Sequence, residues 1–324
     1  MRSTIIIPNY NGLEYLANCL SALSKEVDVS LDEVIIVDNS STDNSVRFIE
    51  STYPFIKLIV LDKNYGFSSA VNEGIRAANS DYIILLNNDT EVCDGWLNSL
   101  IDSIENNPGV FSVSSKMIQC NNKQFIDDAG DGLTLIGWAY KRGDGKPVSQ
   151  FTKQEQVFSA CAGAAIYRKS MLDQIGYFDE TFFAYLEDVD IGYRAKIYGF
   201  VNLFCPEAKV YHIGSATSGG GEKGINSFKV RLSARNNIYL FYKNMPYIQL
   251  ILNFPFLLIG IIWKNVSYHR RGYGKDFYEG TIEGIKNCKK IQRVNHRLIY
   301  LENYFRIQID LINDTFKYFI GRFI

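Results

Sequence analysis

Residues 33–43 read Glu-Val-Ile-Ile-Val-Asp-Asn-Ser-Ser-Thr-Asp. A short β-branched run that ends abruptly in a polar cluster spells a buried strand closed by a turn. The same grammar recurs on both sides of it. Thr4–Ile7 runs into Pro8-Asn9-Tyr10-Asn11-Gly12, Lys57–Val60 leads to Asn64-Tyr65-Gly66-Phe67, and Tyr82–Leu86 leads to Asn87-Asn88-Asp89-Thr90. Amphipathic stretches near Leu13–Ser24, Asn44–Ser51 and Ser68–Ala78 predict helices between the strands. This βαβα order predicts an α/β fold, a parallel sheet with helices on its faces. Ligands of such sheets bind beyond the carboxyl ends of the strands. Strand-to-helix loops need turn and cap residues in any case, but four polar ends together predict a ligand crevice.

The chain has 324 residues, enough for about two domains or one large α/β domain with an appendage. Lys and Arg total 34 against 35 Asp and Glu, a net charge of -1, which argues against a general nucleic-acid binder. His212, His269 and His296 lie far apart, so there is no HExxH zinc helix. The six cysteines form no CxxC pair and read as free thiols of a reducing compartment. Met1–Thr4 leads directly into Ile5-Ile6-Ile7, without the apolar stretch and cleavage site of a secretory signal. The expected location is cytoplasmic.

From about residue 111 the pattern loosens. Asp127–Gly145 reads as loop, Val157–Tyr167 as one small-residue strand, and Glu187–Tyr198 and Phe228–Tyr242 as helices. Phe200–Phe204 reads as a strand followed by Val210-Tyr211-His212, and Ser215–Gly224, with four glycines, as a mobile loop. Ile248–Trp263, about 16 residues, is apolar apart from Gln249 and Asn253, includes Pro255, and falls short of a spanning helix. Lys264, Tyr268, His269, Arg270, Arg271 and Lys275 follow. Two readings stand side by side: a buried helix of a C-terminal subdomain, and a segment dipping into a membrane beside a cationic patch.

Six motifs, in order over roughly residues 3–240, resemble the family 2 glycosyltransferases with the GT-A fold. They are Pro8-Asn9-Tyr10-Asn11-Gly12, Val37-Asp38-Asn39-Ser40-Ser41-Thr42-Asp43, Asn64-Tyr65-Gly66-Phe67, Leu86-Asn87-Asn88-Asp89, Phe178-Asp179-Glu180-Thr181-Phe182-Phe183 and Glu187-Asp188-Val189-Asp190. Asp128-Ala129-Gly130, Gly163 and the FDE…FF…EDVD run resemble the rhamnosyltransferase-like subgroup. The resemblance implies a Rossmann-like nucleotide-binding mixed sheet flanked by helices over residues 1–240, with a C-terminal helical, membrane-proximal appendage over 241–324. Residues 1–110 would form the nucleotide-sugar half and 111–240 the acceptor and catalytic half. The implied reaction is an inverting transfer from a nucleotide-diphospho-sugar, dTDP-rhamnose among the candidates. The acceptor would be a glycan or lipid-linked intermediate of cell-surface polysaccharide synthesis, met at the cytoplasmic face of the membrane.

The same resemblance assigns residues. Asp38 would accept a base N–H, against the alternative of a helix cap or turn. Asn9 and Asn11 would contact the nucleotide or merely shape the loop, and Gly66 would permit close backbone approach. Pro8, Tyr10, Asn64, Phe67, Asn87, Asn88, Gly163 and Glu187 complete the substrate-binding set. Asn72 and Glu73 read as a solvated helix face. Asp89 takes the last acidic position of the family's Asp-x-Asp motif, with His212 as partner for Mg²⁺ or Mn²⁺. Asn87 replaces the first Asp, so that motif is degenerate. Arg235, followed by Asn236, would fork onto phosphate or form a surface ion pair. Asp188 is the expected general base, with Glu187 and Asp190 as rival carboxylates. A sugar-phosphate nucleotidyltransferase would need a Gly-rich N-terminal phosphate loop with Lys or Arg, which is absent. A non-catalytic nucleotide-sugar binding module is disfavoured by the intact Glu187-Asp188 pair.

Overall fold

Alternation along each early strand divides its side chains between two cores. Ile5 and Ile7 of β1 (Ser3–Asn9) join Val34 and Ile36 of β2 (Asp32–Asp38) in one cluster, which α1 (Leu13–Leu23) covers. Ile6, Ile35 and Val37 face the opposite cluster. Each such side chain, fully buried, stabilises the fold by about 1.5–3 kcal/mol. The computed structural model describes residues 1–214 and 225–323. The expected mobile loop Ser215–Gly224 lies outside the described residues.

The first half continues with α2 (Ser45–Thr52), β3 (Lys57–Val60), α3 (Phe67–Ala77), β4 (Tyr82–Leu86), β5 (Thr90–Val92) and α4 (Trp96–Glu105). Then come β6 (Val110–Gln119), β7 (Ile126–Asp128), β8 (Asp131–Leu133), β9 (Ala139–Lys141), β10 (Glu155–Val157), β11 (Ala164–Arg168) and α5 (Lys169–Ile175). The last third holds α6 (Glu187–Ile197), β12 (Val201–His212), α7 (Ser227–Asn244), α8 (Tyr247–Arg270), α9 (Gly274–Asn287) and α10 (Leu301–Phe323). The main sheet runs β10-β12-β6-β11-β4-β1-β2-β3, with β5 on β12 and β7 on β6. β3, β2, β1 and β4 are mutually parallel, whereas β11 is antiparallel to both β4 and β6, so the sheet is mixed. The predicted α/β sheet with flanking helices is therefore present, followed by C-terminal helices.

Several expectations of the second half are corrected. The Gly- and Asp-rich stretch Asp127–Gly145 is not loop throughout; it supplies the end of β7 and the β8–β9 hairpin. Its strands are three residues each, too short to show a period. Val157–Tyr167 is two strands, split at Phe158–Gly163, because β10 pairs with β12 while β11 inserts between β4 and β6. Phe200–Phe204 and Val210–His212 are one strand, interrupted between Cys205 and Lys209 by a bulge that contains Pro206, which has no N–H to give the ladder. Asn72 is no solvated face; it is 2% exposed. The apolar stretch at 248–263 belongs to a 24-residue helix, α8, with Pro255 inside it. It is not a buried helix: among its residues only Asn253, Leu257 and Gly260 are buried.

Candidate functional site

The carboxyl ends of β1, β2 and β4 are tied into one surface by their own polar side chains. Asn9 Nδ2 donates to Asp38 Oδ1 at 2.9 Å, and Asn88 Nδ2 donates to Asn9 Oδ1 at 2.8 Å. Ser41 brings both its hydroxyl, at 2.6 Å, and its backbone N–H, at 2.8 Å, to Asp38. Asn11, at φ +49°, accepts from the Thr42 N–H at 2.7 Å. Asp38 is fully buried, and both its oxygens accept hydrogen bonds that brace this loop pair. Pro8 is half-buried and Tyr10 is exposed at the rim.

Asn39, which the sequence reading did not single out, organises the next loop. Its amide donates to Asn64 Oδ1 and to the Gly66 carbonyl, both at 3.0 Å, and accepts from the Tyr65 N–H. Gly66 sits at φ +88°, where a Cβ would lie 2.6 Å from the Phe183 ring and carbonyl; only glycine fits. Phe67 opens α3 beside it. Asn72 and Glu180 then fasten α3 to the FDE segment. Asn72 Nδ2 donates to the Phe178 carbonyl and to Glu180 Oε1, at 2.8 and 2.9 Å, and Asn72 Oδ1 accepts from the Phe178 N–H.

Asp89 follows β4 and is 5% exposed. β5 pairs with β12 so that Thr90 lies opposite His212, which brings His212 Nε2 to 3.4 Å from Asp89 Oδ1. The other ring nitrogen, Nδ1, is 2.7 Å from Asp127 Oδ2, and Lys141 Nζ caps the same carboxylate at 2.9 Å. Burial opposes the imidazolium charge, but the hydrogen bonds to Asp127 and Asp89 outweigh it and lift His212 to about 9. Burial also opposes the charge on Asp127, yet His212 and Lys141 bring it down to about 2. Asp127 and Lys141 come from the stretch expected to be loop. Among the described residues two donors, a carboxylate oxygen and an imidazole nitrogen, converge here, and no group of three metal-ligating side chains occurs. The carboxylate oxygen and, once its Nε2 proton is released, the imidazole nitrogen would suit a divalent cation.

Across the strand ends stands α6. The chain enters it through Phe183, Tyr185 and Leu186, all non-glycine residues at φ between +63° and +69°. Such conformations cost of order 1–3 kcal/mol each and persist only where surroundings enforce them. Here the enforcement comes from Asn236, whose amide donates to the carbonyls of Phe182, Ala184 and Tyr185 at 2.8–2.9 Å. Arg235 donates to the Thr181 and Phe182 carbonyls and lies 3.5 Å from Glu283. Arg235 thus clamps this turn, and the expected phosphate fork is not its placement in the structure.

The turn delivers Glu187 and Asp188 to the first turn of α6. Asp188 is half-buried; its Oδ1 accepts from the Val189 N–H at 2.8 Å, and Oδ2 lies 3.5 Å from the Ala162 N–H. The next residue, Gly163, accepts from the Asn87 N–H at 2.8 Å, and a Cβ on it would stand 3.1 Å from the Asn87 amide. The Ala162-Gly163 turn therefore bridges Asp188 to the Asn87–Asp89 strand end. Burial raises the Asp188 pKa, and burial with the Asp188 charge raises Glu187 further. Glu187 Oε2 is buried without a hydrogen-bond partner, as is Asp128 Oδ2. Asp190 is spent elsewhere: fully buried, it accepts from Arg194, Lys243 and Asn244 at 2.8–3.0 Å.

The profile of glycosyl transferase family 2 matches residues 4–176, more than half of the chain. The chain is 25% identical over 231 residues to an N-acetylglucosaminyl-diphospho-decaprenol L-rhamnosyltransferase of Mycobacterium tuberculosis, covering 64% of this chain and 75% of that protein. Among solved structures, GalNAc-T7 with UDP, GalNAc and Mn²⁺ aligns at a TM-score of 0.60 and 16% identity, over 74% of this chain but only 47% of that one. A mannosyltransferase of Pyrobaculum calidifontis in complex with GDP-Man and Mn²⁺ aligns at 0.53 and 14% identity, over 98% of this chain and 86% of that one. These structural likenesses show the fold, and the sequence match shows the family: the chain belongs to glycosyl transferase family 2 and is a glycosyltransferase.

Proposed function

We propose that this enzyme transfers a sugar, with inversion, from a nucleotide-diphospho-sugar such as dTDP-rhamnose to a lipid-linked glycan intermediate at the cytoplasmic face of a membrane. The observation that carries the catalytic assignment is the strained turn that sets Asp188 beside Ala162-Gly163, one residue from the strand end bearing Asn87 and Asp89. Asp188 accepts the acceptor hydroxyl proton as that oxygen bonds to the anomeric carbon; the bond from that carbon to the diphosphate oxygen breaks on the opposite face. Asp89 and His212 would hold Mg²⁺ or Mn²⁺, which when bound offsets charge on the leaving diphosphate. The loops of Pro8–Asn11, Asp38–Ser41 and Asn64–Phe67 enclose the nucleotide, while Asn88 keeps Asn9 oriented. Asn87, Gly163 and Glu187 lie nearest the transferred sugar. In this reading residues 1–110 serve the donor, 111–240 the acceptor and catalysis, and 241–324 the membrane. Rhamnosyl transfer rests on the relationship to the mycobacterial enzyme. The test is a donor panel with purified protein, a divalent cation and a decaprenyl-diphospho-N-acetylglucosamine acceptor, read as released nucleoside diphosphate. Turnover with dTDP-rhamnose supports the proposal; turnover only with a different donor overturns the sugar assignment, and no turnover with any donor overturns the reaction.

A further inference from the structure

The appendage leaves an apolar face uncovered, and that face spans two helices. On α8, Ile248, Ile251, Leu252, Ile259, Ile262 and Trp263 are 51–77% exposed. At 100° per residue they fall on one side, opposite buried Asn253, Leu257 and Gly260. On α10, Leu301, Phe305, Ile312, Phe316 and Ile320 form a second row, 38–64% exposed, opposite buried Ile307 and Leu311.

The two helices run side by side in the same direction. Gln308 bonds to Gln249 and Asn253 at 2.8 Å near one end, and Phe319 meets Trp263 at 5.8 Å between ring centroids near the other. On each helix the core-facing residues lie on the same side of the line joining the pair, so the two exposed rows are coplanar. From Ile248 to Val266 the plate is about 27 Å long at 1.5 Å per residue.

Charge chooses the occupant. Residues 244–275 contain no Asp or Glu, and α8 ends in His269, Arg270 and Arg271, all exposed, with Lys275 just beyond. A second copy would offer α8's cationic end no carboxylate from its own α8. An anionic bilayer offers phosphates at its surface and hydrocarbon beneath, and Trp263 and Tyr247 suit the boundary between them.

α8 is long enough to cross a bilayer, at 24 residues, yet its attachments prevent it. Its midpoint is fastened to the tip of the β8–β9 hairpin: Trp138 Nε1 donates to the Gly260 carbonyl at 3.1 Å, and a Cβ on Gly260 would stand 1.8 Å from the Ile136 carbonyl. The helices at its two ends, α7 and α9, pack along each other, where a Cβ on Gly280 would lie 2.1 Å from the Arg231 carbonyl. A spanning helix needs its ends on opposite sides of the membrane.

We propose that α8 and α10 together form a monotopic plate that lies in the plane of an anionic membrane surface, with its apolar rows in the acyl boundary and the His269–Arg271 end among the headgroups. This rests on the membrane-facing part of the proposed function and specifies the surface and its orientation. The same hairpin that α8 grips carries Lys141, the partner of Asp127 and through it of His212. The plate and the donor site are thus two ends of one short element.

The test is flotation of the full-length protein with vesicles of phosphatidylcholine plus phosphatidylglycerol, or of phosphatidylcholine alone. Wild type should float with the mixed vesicles and much less with the neutral ones. Ile251→Lys/Ile259→Lys on α8 and Phe305→Lys/Phe316→Lys on α10 should each lower the bound fraction more than about tenfold. Both should keep the wild-type circular dichroism. Trp263 emission should be quenched more by lipids brominated near the headgroup than by lipids brominated near the chain ends. Normal flotation of the α10 variant overturns the two-helix plate, and deeper quenching overturns the in-plane orientation. Wild type that stays unbound while forming a dimer that the same variants dissociate assigns the face to a second copy. Nucleoside diphosphate release with a water-soluble acceptor analogue, measured in parallel, separates loss of the membrane surface from failure of the transferase reading.

Discussion

Asp188 shows how a first-turn carboxylate becomes reactive. Any acidic residue there is favoured by the helix dipole, and α6 carries three, Glu187, Asp188 and Asp190. Their surroundings separate them. Asp190 is neutralised by Arg194 and Lys243, Glu187 is enclosed with one oxygen unpartnered, and Asp188 alone is half-open beside the Asn87 strand end. Asp188→Asn should lower kcat by about 10²–10⁴ with nucleoside diphosphate affinity unchanged, measured by steady-state kinetics and calorimetry. Because burial raises the Asp188 pKa and a base works only when ionised, the rate should fall as pH drops through that raised value. A pH–rate profile whose acid limb sits at the ordinary carboxylate range would contradict this. Asp89→Ala should abolish the stimulation by Mn²⁺ or Mg²⁺, and EDTA should have no further effect on the residual rate. Asp89 was legible as a candidate from its place at a strand end, and Asp188 from the resemblance carried by the Glu-Asp motif. The bracing of Asp38 by Ser41 and Asn9 was not, because an Asp before Ser-Ser-Thr reads alike whether it faces a ligand or its own loop.

The element that matters most is the segment from Phe178 to Leu186. It has no regular secondary structure beyond one short turn, yet two other elements, α3 and α7, hold it. Asn72 of α3 grips Phe178, Asn236 and Arg235 of α7 hold the carbonyls of 181–185, and Lys243 of α7 pairs with Asp179 at 2.6 Å. Asn236→Ala leaves those carbonyls short of donors and should cost about 1–3 kcal/mol. It should also lower kcat, since the positive-φ turn loses its enforcement. Lys243→Met leaves Asp179 and Asp190 without their shared cation and should destabilise by about 3 kcal/mol. Urea denaturation with tryptophan fluorescence measures both. The FDE and Glu-Asp motifs mark this segment in the sequence. The clamp does not show there, because its members lie more than fifty residues apart along the chain.

At the scale of the whole molecule, the C-terminal helices share an apolar core with the second half. Ile291, Tyr304, Ile307 and Leu311 share one apolar cluster with Leu133, Phe182, Val189 and Tyr239. Asp314 and Thr315 of α10 accept the backbone N–H groups of Leu133 and Leu135, at 3.1 and 2.7 Å. A chain ending at His296 should melt lower by more than about 5 °C and lose transfer even to a soluble acceptor. Differential scanning calorimetry and product assay check this; wild-type melting of the shortened chain would show the helices to be dispensable.

The sequence by itself determined the four parallel strands, their polar ends, the family and the candidate carboxylates. Those features are read directly along the chain: a strand's apolar run, a turn's composition and each motif are written within a dozen residues, and the motifs follow one another in order. Only the tertiary structure decided that β11 inserts antiparallel, that Asp127 and Lys141 reach His212, and that Arg235 clamps a turn. It also decided that the apolar stretch at 247–270 faces outward. Those outcomes depend on contacts between residues far apart in the chain, where hydropathy has no address: an apolar helix reads the same whether protein or lipid covers it.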